Sequence, residues 1–117
     1  MDNINLILKT AVEALEEVKG EDIKVIKIDE LTVLADYFII ATGNSTTQIK
    51  ALADRVDQQL SLKGIEPYHR EGFSSGSWIL LDYNSVVIHI FHPETRDFYN
   101  LEKLWNDGEV INIDDIK

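Results

Sequence analysis

Three groups of side chains have residue types that could do chemistry, and the first surrounds a glycine turn. The segment Thr42-Gly43-Asn44-Ser45 stands between a predicted strand and a predicted helix, where free backbone amides can bind a phosphate. A nucleotidyltransferase would add paired carboxylates on a neighbouring strand to hold magnesium. No Asp-x-Asp or Glu-x-Glu follows on a predicted strand, and Asp82 stands alone. An ordinary helix start is therefore favoured, with a nucleotidyltransferase-type enzyme using the Gly43 turn as the alternative.

The histidines and a serine-rich loop form the other two groups. His89 and His92 are three residues apart across a strand end, without the paired carboxylate of a metal site. The loop Ser74-Ser75-Gly76-Ser77 lies near His69 in sequence, but it lacks the nucleophile-elbow pattern and an acid partner. The sequence predicts no catalytic set, no metal site and no cofactor, so we expect that the protein is not an enzyme.

Aromatic side chains suggest a recognition surface instead. They concentrate near a predicted hairpin and the short helix that follows it: Trp78, Tyr83, Phe91, Tyr99 and Trp105. Aromatic residues are enriched at interface cores, since they bury large areas with few rotatable bonds. Phe38 and Phe98 are expected to fill the core. For Trp78 and Trp105, core and interface both stay open.

Composition restricts the partners. The 117 residues carry a formal net charge of −10 and no cysteine, which excludes disulfides and thiolate chemistry. An acidic surface argues against nucleic acid as the main contact and favours a basic protein partner. No apolar run approaches the roughly 20 residues of a membrane helix, and no signal peptide is visible. We expect a single cytoplasmic domain.

Hydrophobic periodicity predicts two long helices and one short helix. Apolar residues recur at helical spacing over residues 3–19, with Asp2 or Asn3 as the cap. A second helix is predicted at residues 46–63, where Ser45 and Gln48 have the spacing of a capping box. Pro93 is expected to begin a short helix that ends near Gly108.

The predicted strands cover residues 23–28, 35–41, 65–70, 78–81 and 86–91, with Asp82 in the predicted hairpin turn. Strand, helix and strand between residues 35 and 70 suggest a parallel crossover. The fold class is therefore α/β, a single sandwich with a mixed sheet of about five strands flanked by helices. Residues 1–108 form the predicted domain, and the acidic tail 109–117 is either a stray strand or frayed.

The last strand of the hairpin has two different faces, because strand side chains alternate. Val86, Ile88 and Ile90 make an aliphatic face that should lie on the core. Val87, His89 and Phe91 make the other face, which we expect to be only partly covered.

Four segments in register resemble the ribosomal silencing factor family, also called Iojap. They are Asp36-Tyr37-Phe38-Ile39-Ile40-Ala41-Thr42-Gly43-Asn44-Ser45, Glu71-Gly72 with Trp78-Ile79-Leu80-Leu81-Asp82-Tyr83, Val86-Val87-Ile88-His89-Ile90-Phe91, and Arg96-Asp97-Phe98-Tyr99-Asn100-Leu101-Glu102-Lys103-Leu104-Trp105. The resemblance runs from the first helix to Trp105, and the tail beyond Gly108 lies outside it. Any one of these motifs is weak, but four in order are specific.

The resemblance implies a nucleotidyltransferase-like scaffold without metal-binding carboxylates. It also implies binding to the large ribosomal subunit through large-subunit ribosomal protein number fourteen. Bound there, a member blocks association with the small subunit and represses translation. Family members are also associated with large-subunit biogenesis, and free members tend to form homodimers.

The hairpin and the last helix are the expected anchor for this partner. Asp82 and Glu102 would pair with its basic side chains, and the aromatic residues and Leu80 would bury apolar area. The candidate partner-binding residues are Trp78, Leu80, Asp82, Tyr83, His89, Tyr99, Glu102 and Trp105.

Overall fold

Short β-branched and aromatic segments form the strands of this protein, and apolar residues at helical spacing form its helices. The computed structural model describes residues 4–116. Its elements in chain order are α1 Ile4–Glu17, β1 Glu21–Lys27, β2 Tyr37–Thr42, α2 Thr46–Ser61, β3 His69–Glu71, β4 Trp78–Asp82, β5 Val86–Phe91, α3 Pro93–Tyr99, α4 Leu101–Leu104, β6 Glu109–Ile111 and α5 Ile113–Ile116. The predicted Asp2 or Asn3 cap lies outside the described residues.

The strands form one mixed sheet in the order β3-β4-β5-β2-β1-β6. β2 and β5 pair in parallel, whereas the other neighbouring strands are antiparallel. β3 therefore runs parallel to β2, as the predicted crossover requires, but β4 and β5 lie between them. The α/β class is confirmed, with six strands among the described residues where about five were predicted.

The additional strand comes from the segment predicted as a tail. β6 pairs with the edge of β1, with Val110 opposite Ile26. Ile111, Ile113 and Ile116 pack against the main core. This segment was predicted to be either a strand or a frayed tail, and the structure contains the strand, followed by the helical turn α5.

The predicted strand at residues 65–70 begins later, at His69. The N–H of Ile65 donates to the carbonyl of Leu60 at the end of α2 (2.9 Å), and Pro67 has no N–H for a strand ladder. The chain joins the sheet only where the Tyr68 N–H donates to the Asp82 carbonyl (2.7 Å).

The main core lies between one sheet face and the helices α1 and α2, and we call this the helix side. The predicted aliphatic face of β5 lies here, with Val86, Ile88 and Ile90 fully buried. The apolar stripes of α1 and α2 complete the core, including Leu15 and Ile49. The opposite face of the sheet is left for α3 and α4, and the candidate site is built there.

Candidate functional site

The sheet face opposite the helix side carries a cluster of rings, which we call the aromatic face: Phe38, Trp78, His89, Phe91, Tyr99 and Trp105. Four of these side chains come from the sheet, and strand register brings them together, since Trp78 pairs with Phe91. The ring centroids of Trp78 and Phe91 are 4.8 Å apart, and those of Phe38 and His89 are 4.7 Å apart. In many antiparallel sheets the face opposite the core is polar, whereas in this protein that face is aromatic.

Tyr99 and Trp105 reach this face because the predicted single helix is broken in two. His92 caps α3, with Pro93 at its first turn. Asn100 then adopts a left-handed conformation (φ 48°) and its side chain accepts a hydrogen bond from the Lys103 N–H (3.2 Å), which caps α4. Asparagine tolerates this backbone region and caps helices well. One residue therefore ends α3 and begins α4.

The two short helices complete the aromatic face from above the sheet. The ring centroid of Tyr99 lies 4.8 Å from that of Trp78, and the centroid of Trp105 lies 5.5 Å from that of Phe38. As a result His89 and Phe91 are buried, whereas the sequence predicted that their face of β5 would be only partly covered. Trp78 and Trp105 are half-buried, so each contributes both to packing and to the surface.

The two short helices α3 and α4 also carry exposed apolar side chains. Tyr99, Phe98 and Leu104 are 51%, 80% and 70% exposed. The prediction that Phe98 fills the core is wrong, because α3 turns it outward. Phe38 is partly buried, as predicted, and packs against a smaller apolar cluster on this face of the sheet that includes Ile40 and Phe91. Apolar side chains grouped in this way are typical of binding surfaces.

A polar cluster, which we call the clasp, holds α3 and α4 on the sheet: Lys24, Thr42, Arg96 and Glu102. The buried Arg96 guanidinium donates from Nη1 to Thr42 Oγ1 (2.7 Å). Its Nε and Nη2 donate to the two carboxylate oxygens of Glu102 (2.9 and 3.2 Å). Lys24 Nζ lies 2.9 Å from Glu102 Oε2. The clasp joins β1, β2, α3 and α4 at the border of a cleft of about 400 Å³.

Glu102 is therefore engaged within the chain. The hydrogen bonds from Arg96 first, and those from Lys24, lower the pKa of the Glu102 carboxyl to about 2. A bidentate arginine pair of this kind is strong and directional. Glu102 thus joins α4 to α3 and β1 within the chain, and its pairing with a basic partner residue stays a prediction.

Two other candidates support the surface from within it. His89 is 5% exposed, and its Nδ1 accepts a hydrogen bond from Trp78 Nε1 (3.2 Å). Asp82 Oδ1 accepts from the N–H of Asn84 (2.7 Å) in the hairpin turn, where Asn84 has φ 72°. Asp82 and Leu80 are both half-buried. Asp82 thus fixes the turn and remains partly accessible.

Tyr83 does not belong to the aromatic face. It is 5% exposed and packs in the core of the helix side. Burial, together with the carboxylates of Asp57 and Glu66, raises the pKa of its phenol. Tyr83 continues the alternation of β4, so its side chain lies on the helix side with Leu81 and not beside Trp78. Its binding to a partner stays a prediction.

Residue patterns did not identify Arg96, Thr42 and Lys24 as members of the site. Arg96 and Glu102 are six positions apart, a spacing that places side chains on different faces of a continuous helix. Only the break at Asn100 brings them together. The available signal was Arg96 within the segment that resembles the silencing factors.

The Gly43 turn serves the fold. The Gly43 N–H donates to the Phe91 carbonyl (3.0 Å), and the Gln48 N–H donates to Ser45 Oγ (3.1 Å). Gln48 Oε1 accepts from the Asn44 N–H (2.6 Å), one residue earlier than in a standard capping box. The amides of Gly43 and Asn44 in this turn, and that of Gln48 in the first turn of α2, are thus already paired. A Cβ at Gly43 would lie 2.8 Å from Ile49 Cγ1, which explains the glycine by packing.

The histidines and serines have separate structural roles. His69 is exposed on β3, His89 is buried on β5, and His92 caps α3. Ser75 Oγ donates to the Gly72 carbonyl within its loop (3.4 Å). Across residues 4–116, no three His, Asp or Glu side chains are grouped so as to hold a metal ion. Over the same range no helix is long and apolar enough to span a membrane.

The fold and the aromatic face define a class, that of an α/β protein with a surface suited to binding another macromolecule. Comparison with known proteins identifies the family. The family model described as "Ribosomal silencing factor during starvation" matches residues 2–117, which includes the segment after Gly108 that the resemblance left out. The chain belongs to the ribosomal silencing factor family.

Individual relatives agree with this assignment. The ribosomal silencing factor of Bacillus subtilis is 39% identical over 112 residues, which cover 96% of this chain and 95% of the relative. A crystal structure of a protein from Chromobacterium violaceum has a TM-score of 0.87 and 43% identity, covering 91% of this chain and 88% of that chain. A mouse protein named "Mitochondrial assembly of ribosomal large subunit protein 1" is 36% identical over 98 residues, covering 80% of this chain and 42% of its own length.

Proposed function

We propose that this protein binds the large ribosomal subunit through large-subunit ribosomal protein number fourteen, blocks association with the small subunit and thereby represses translation. Its contribution is steric and not enzymatic. The same contact gives it a role in large-subunit biogenesis, a proposal supported by the name of the mouse relative. The observation that carries the proposal is the aromatic face, with exposed Tyr99 and half-buried Trp78 and Trp105 on one side of the sheet.

The residues divide into direct contacts and supports. In this proposal Trp78, Leu80, Tyr99 and Trp105 contact the partner, with Asp82 at the border. His89 and Glu102 act behind them, since one is buried and the other is paired within the clasp. Half-buried rings make effective anchors, because little side-chain freedom remains to be lost on binding.

The charge of the chain supports the same partner. A formal net charge of −10 attracts a basic ribosomal protein and orients it before contact. It opposes approach to exposed ribosomal RNA phosphates. The charge thus favours a protein component of the ribosome as the docking site. The proposal places the complex in the cytoplasm, the compartment of bacterial ribosomes.

The aromatic face also suits a homodimer of the free protein. Two copies that covered this face would hide the same rings that the ribosomal protein needs. Dimerisation and ribosome binding would then compete, and the free protein would be stored with its apolar residues covered.

Sedimentation with isolated large subunits tests the proposed function. We expect the protein to co-sediment with large subunits and to reduce the amount of joined ribosomes when small subunits are added. Absence from the large-subunit fraction across a range of salt concentrations would show that the proposal is wrong.

A matched pair of tyrosines tests the surface. We expect Tyr99→Ala to weaken binding by about fivefold or more, since a buried interface anchor contributes more than about 1 kcal/mol. Tyr68→Ala is the control, because Tyr68 is 69% exposed next to β3 and outside the aromatic face. Equal affinities for the two variants would exclude Tyr99 from the interface.

A further inference from the structure

His89 is a buried polar side chain at the centre of the aromatic face. It lies on β5 directly between Leu80 of β4 and Ile40 of β2. Its ring stacks with Phe91 (centroids 6.0 Å apart, 9° between planes) and meets Phe38 edge-on (4.7 Å). An aliphatic residue would fill such a position without any polar atom to satisfy. The imidazole therefore calls for an explanation beyond packing.

The hydrogen bond to Trp78 gives that explanation. Trp78 Nε1 carries a hydrogen and can only donate, so His89 Nδ1 must be the unprotonated acceptor across their 3.2 Å separation. The imidazole proton is then on Nε2, which has no hydrogen-bond partner within the described residues. The tautomer is set by the indole alone.

The surroundings keep this acceptor available. Burial in the aromatic face lowers the pKa of His89 to about 4, so at neutral pH the ring is uncharged. A protonated ring would present a second donor to the indole N–H and lose the bond. The burial that leaves Nε2 unpartnered thus also preserves Nδ1 as an acceptor.

Trp78 is the side chain whose orientation this bond decides. The half-buried indole packs against Phe91 on one strand and Tyr99 on α3, both at 4.8 Å. These contacts hold the indole between the two rings. A single directional bond from Nε1 selects which edge faces outward.

We propose that His89 is a positioning residue that fixes the orientation of the Trp78 indole and so preorganises the aromatic face for its partner. The inference rests on the proposed function for its consequence in binding. Its first part, the fixed indole, is a property of the free protein and is tested separately from ribosome binding.

Nuclear magnetic resonance of the free protein tests the fixed indole. The two tryptophans give two indole N–H signals, and Trp105→Phe assigns them. We expect the Trp78 signal to show slow solvent exchange, to exchange faster in His89→Leu, and to be protected again in His89→Asn, whose amide oxygen replaces Nδ1 as acceptor. The same exchange rate in wild type and His89→Leu would overturn the inference.

Binding to isolated large subunits tests the consequence. One net hydrogen bond corresponds to a loss of about threefold to tenfold for His89→Leu, with recovery in His89→Asn. Trp78→Phe serves as a second variant, since it keeps a ring but has no donor. It should weaken binding at least as much as His89→Leu, because it also removes part of a proposed contact. Adding His89→Leu to Trp78→Phe should then have no further effect. Full affinity of folded Trp78→Phe would contradict the role in binding, whereas failure of the wild type to bind would overturn the proposed function instead.

Discussion

At the residue scale, Arg96 shows how one buried charge organises a surface made of apolar rings. The residue is only 7% exposed, and burying a charge is favourable only when hydrogen bonds and an opposite charge compensate for lost water. Thr42 and Glu102 supply these contacts. Because they come from β2 and α4, satisfying Arg96 also fixes where α4 lies.

Ionisation of the Glu102 carboxyl makes the free energy of unfolding depend on pH in the acid range. The pKa of its carboxyl falls from 4.5 to about 2 in the folded protein, so the folded state favours the ionised form. This stabilisation is complete above the unfolded pKa and is lost as pH falls through the folded value. We expect Glu102→Gln to lower the free energy of unfolding by about 1–2 kcal/mol at pH 7, and by progressively less as pH falls from 4.5 towards 2.

Urea denaturation at several pH values measures this difference. Glu13→Gln is the control, since Glu13 is exposed on α1 and outside the clasp. A constant difference between wild type and Glu102→Gln down to the lowest pH would show that the ion pair does not stabilise the fold.

The residues themselves permitted part of this site to be predicted. Alternation along β5 correctly separated Ile88 from His89, because strand geometry fixes which side chains share a face. The clasp was beyond such patterns, since Arg96 and Glu102 meet only through the backbone reversal at Asn100. Tyr83 lies with Leu81 on the helix side, as continued alternation along β4 requires, whereas its aromatic type alone had grouped it with Trp78.

At the element scale, the loop between β3 and β4 determines where Trp78 begins its strand. Gly72 has φ +88°, and a Cβ there would lie 1.9 Å from the carbonyl oxygen of Trp78. Glycine is required twice at this position, once for the backbone angle and once for the close approach. The loop thus brings the backbone of β3 directly against the first residue of β4.

Gly64 allows these two requirements to be separated. It also has a positive φ (+79°), but a Cβ there would meet nothing within 4 Å. We expect Gly64→Ala to reduce the free energy of unfolding by about 1 kcal/mol, the cost of the backbone angle alone. Gly72→Ala should cost about 3 kcal/mol or more, since a carbonyl must also move.

Chemical denaturation of the two variants measures both costs on the same fold. Similar losses for Gly64→Ala and Gly72→Ala would show that the loop accommodates a methyl group without displacing Trp78.

Helices and strands with a regular hydrophobic pattern could be predicted from the sequence. Element boundaries that depend on a single contact could not. The apolar stripe of α2 was sufficient to identify that helix, which spans Thr46–Ser61. The division between α3 and α4 depends on the conformation of Asn100, and the late start of β3 depends on Ile65 remaining bonded to Leu60. Neither contact leaves a repeating pattern in the sequence.

At the scale of the whole molecule, the last segment of the chain completes the structure. β6 covers the open edge of β1, and exposed strand edges promote association between chains. Ile113 and Ile116 add apolar contacts to the main core. The sequence predicted the fold class from its core-forming segments, whereas a three-residue strand within an acidic segment is too short to give a reliable signal.

Removing residues 109–117 tests this role. We expect the truncated protein to melt about 10 °C lower, since about 2–3 kcal/mol of apolar burial is lost, and to aggregate more readily. Thermal unfolding with light scattering measures both effects. Removing only residues 113–117 is the control, because it keeps β6 on the edge of β1 and should leave aggregation unchanged; equal aggregation of the two forms would contradict edge protection.

The parallel pairing of β2 with β5 determines when the surface first exists during folding. The hairpin of β4 and β5 joins neighbours in sequence, but Tyr37 meets Val86 only after the intervening chain closes a long loop. Pairing between residues that are distant in sequence is a slow step in protein folding. Phe38 lies on one side of that seam and His89 on the other. The hairpin and α3 can bring Trp78, Phe91 and Tyr99 together by local contacts, but the aromatic face is complete only once β2 has paired with β5.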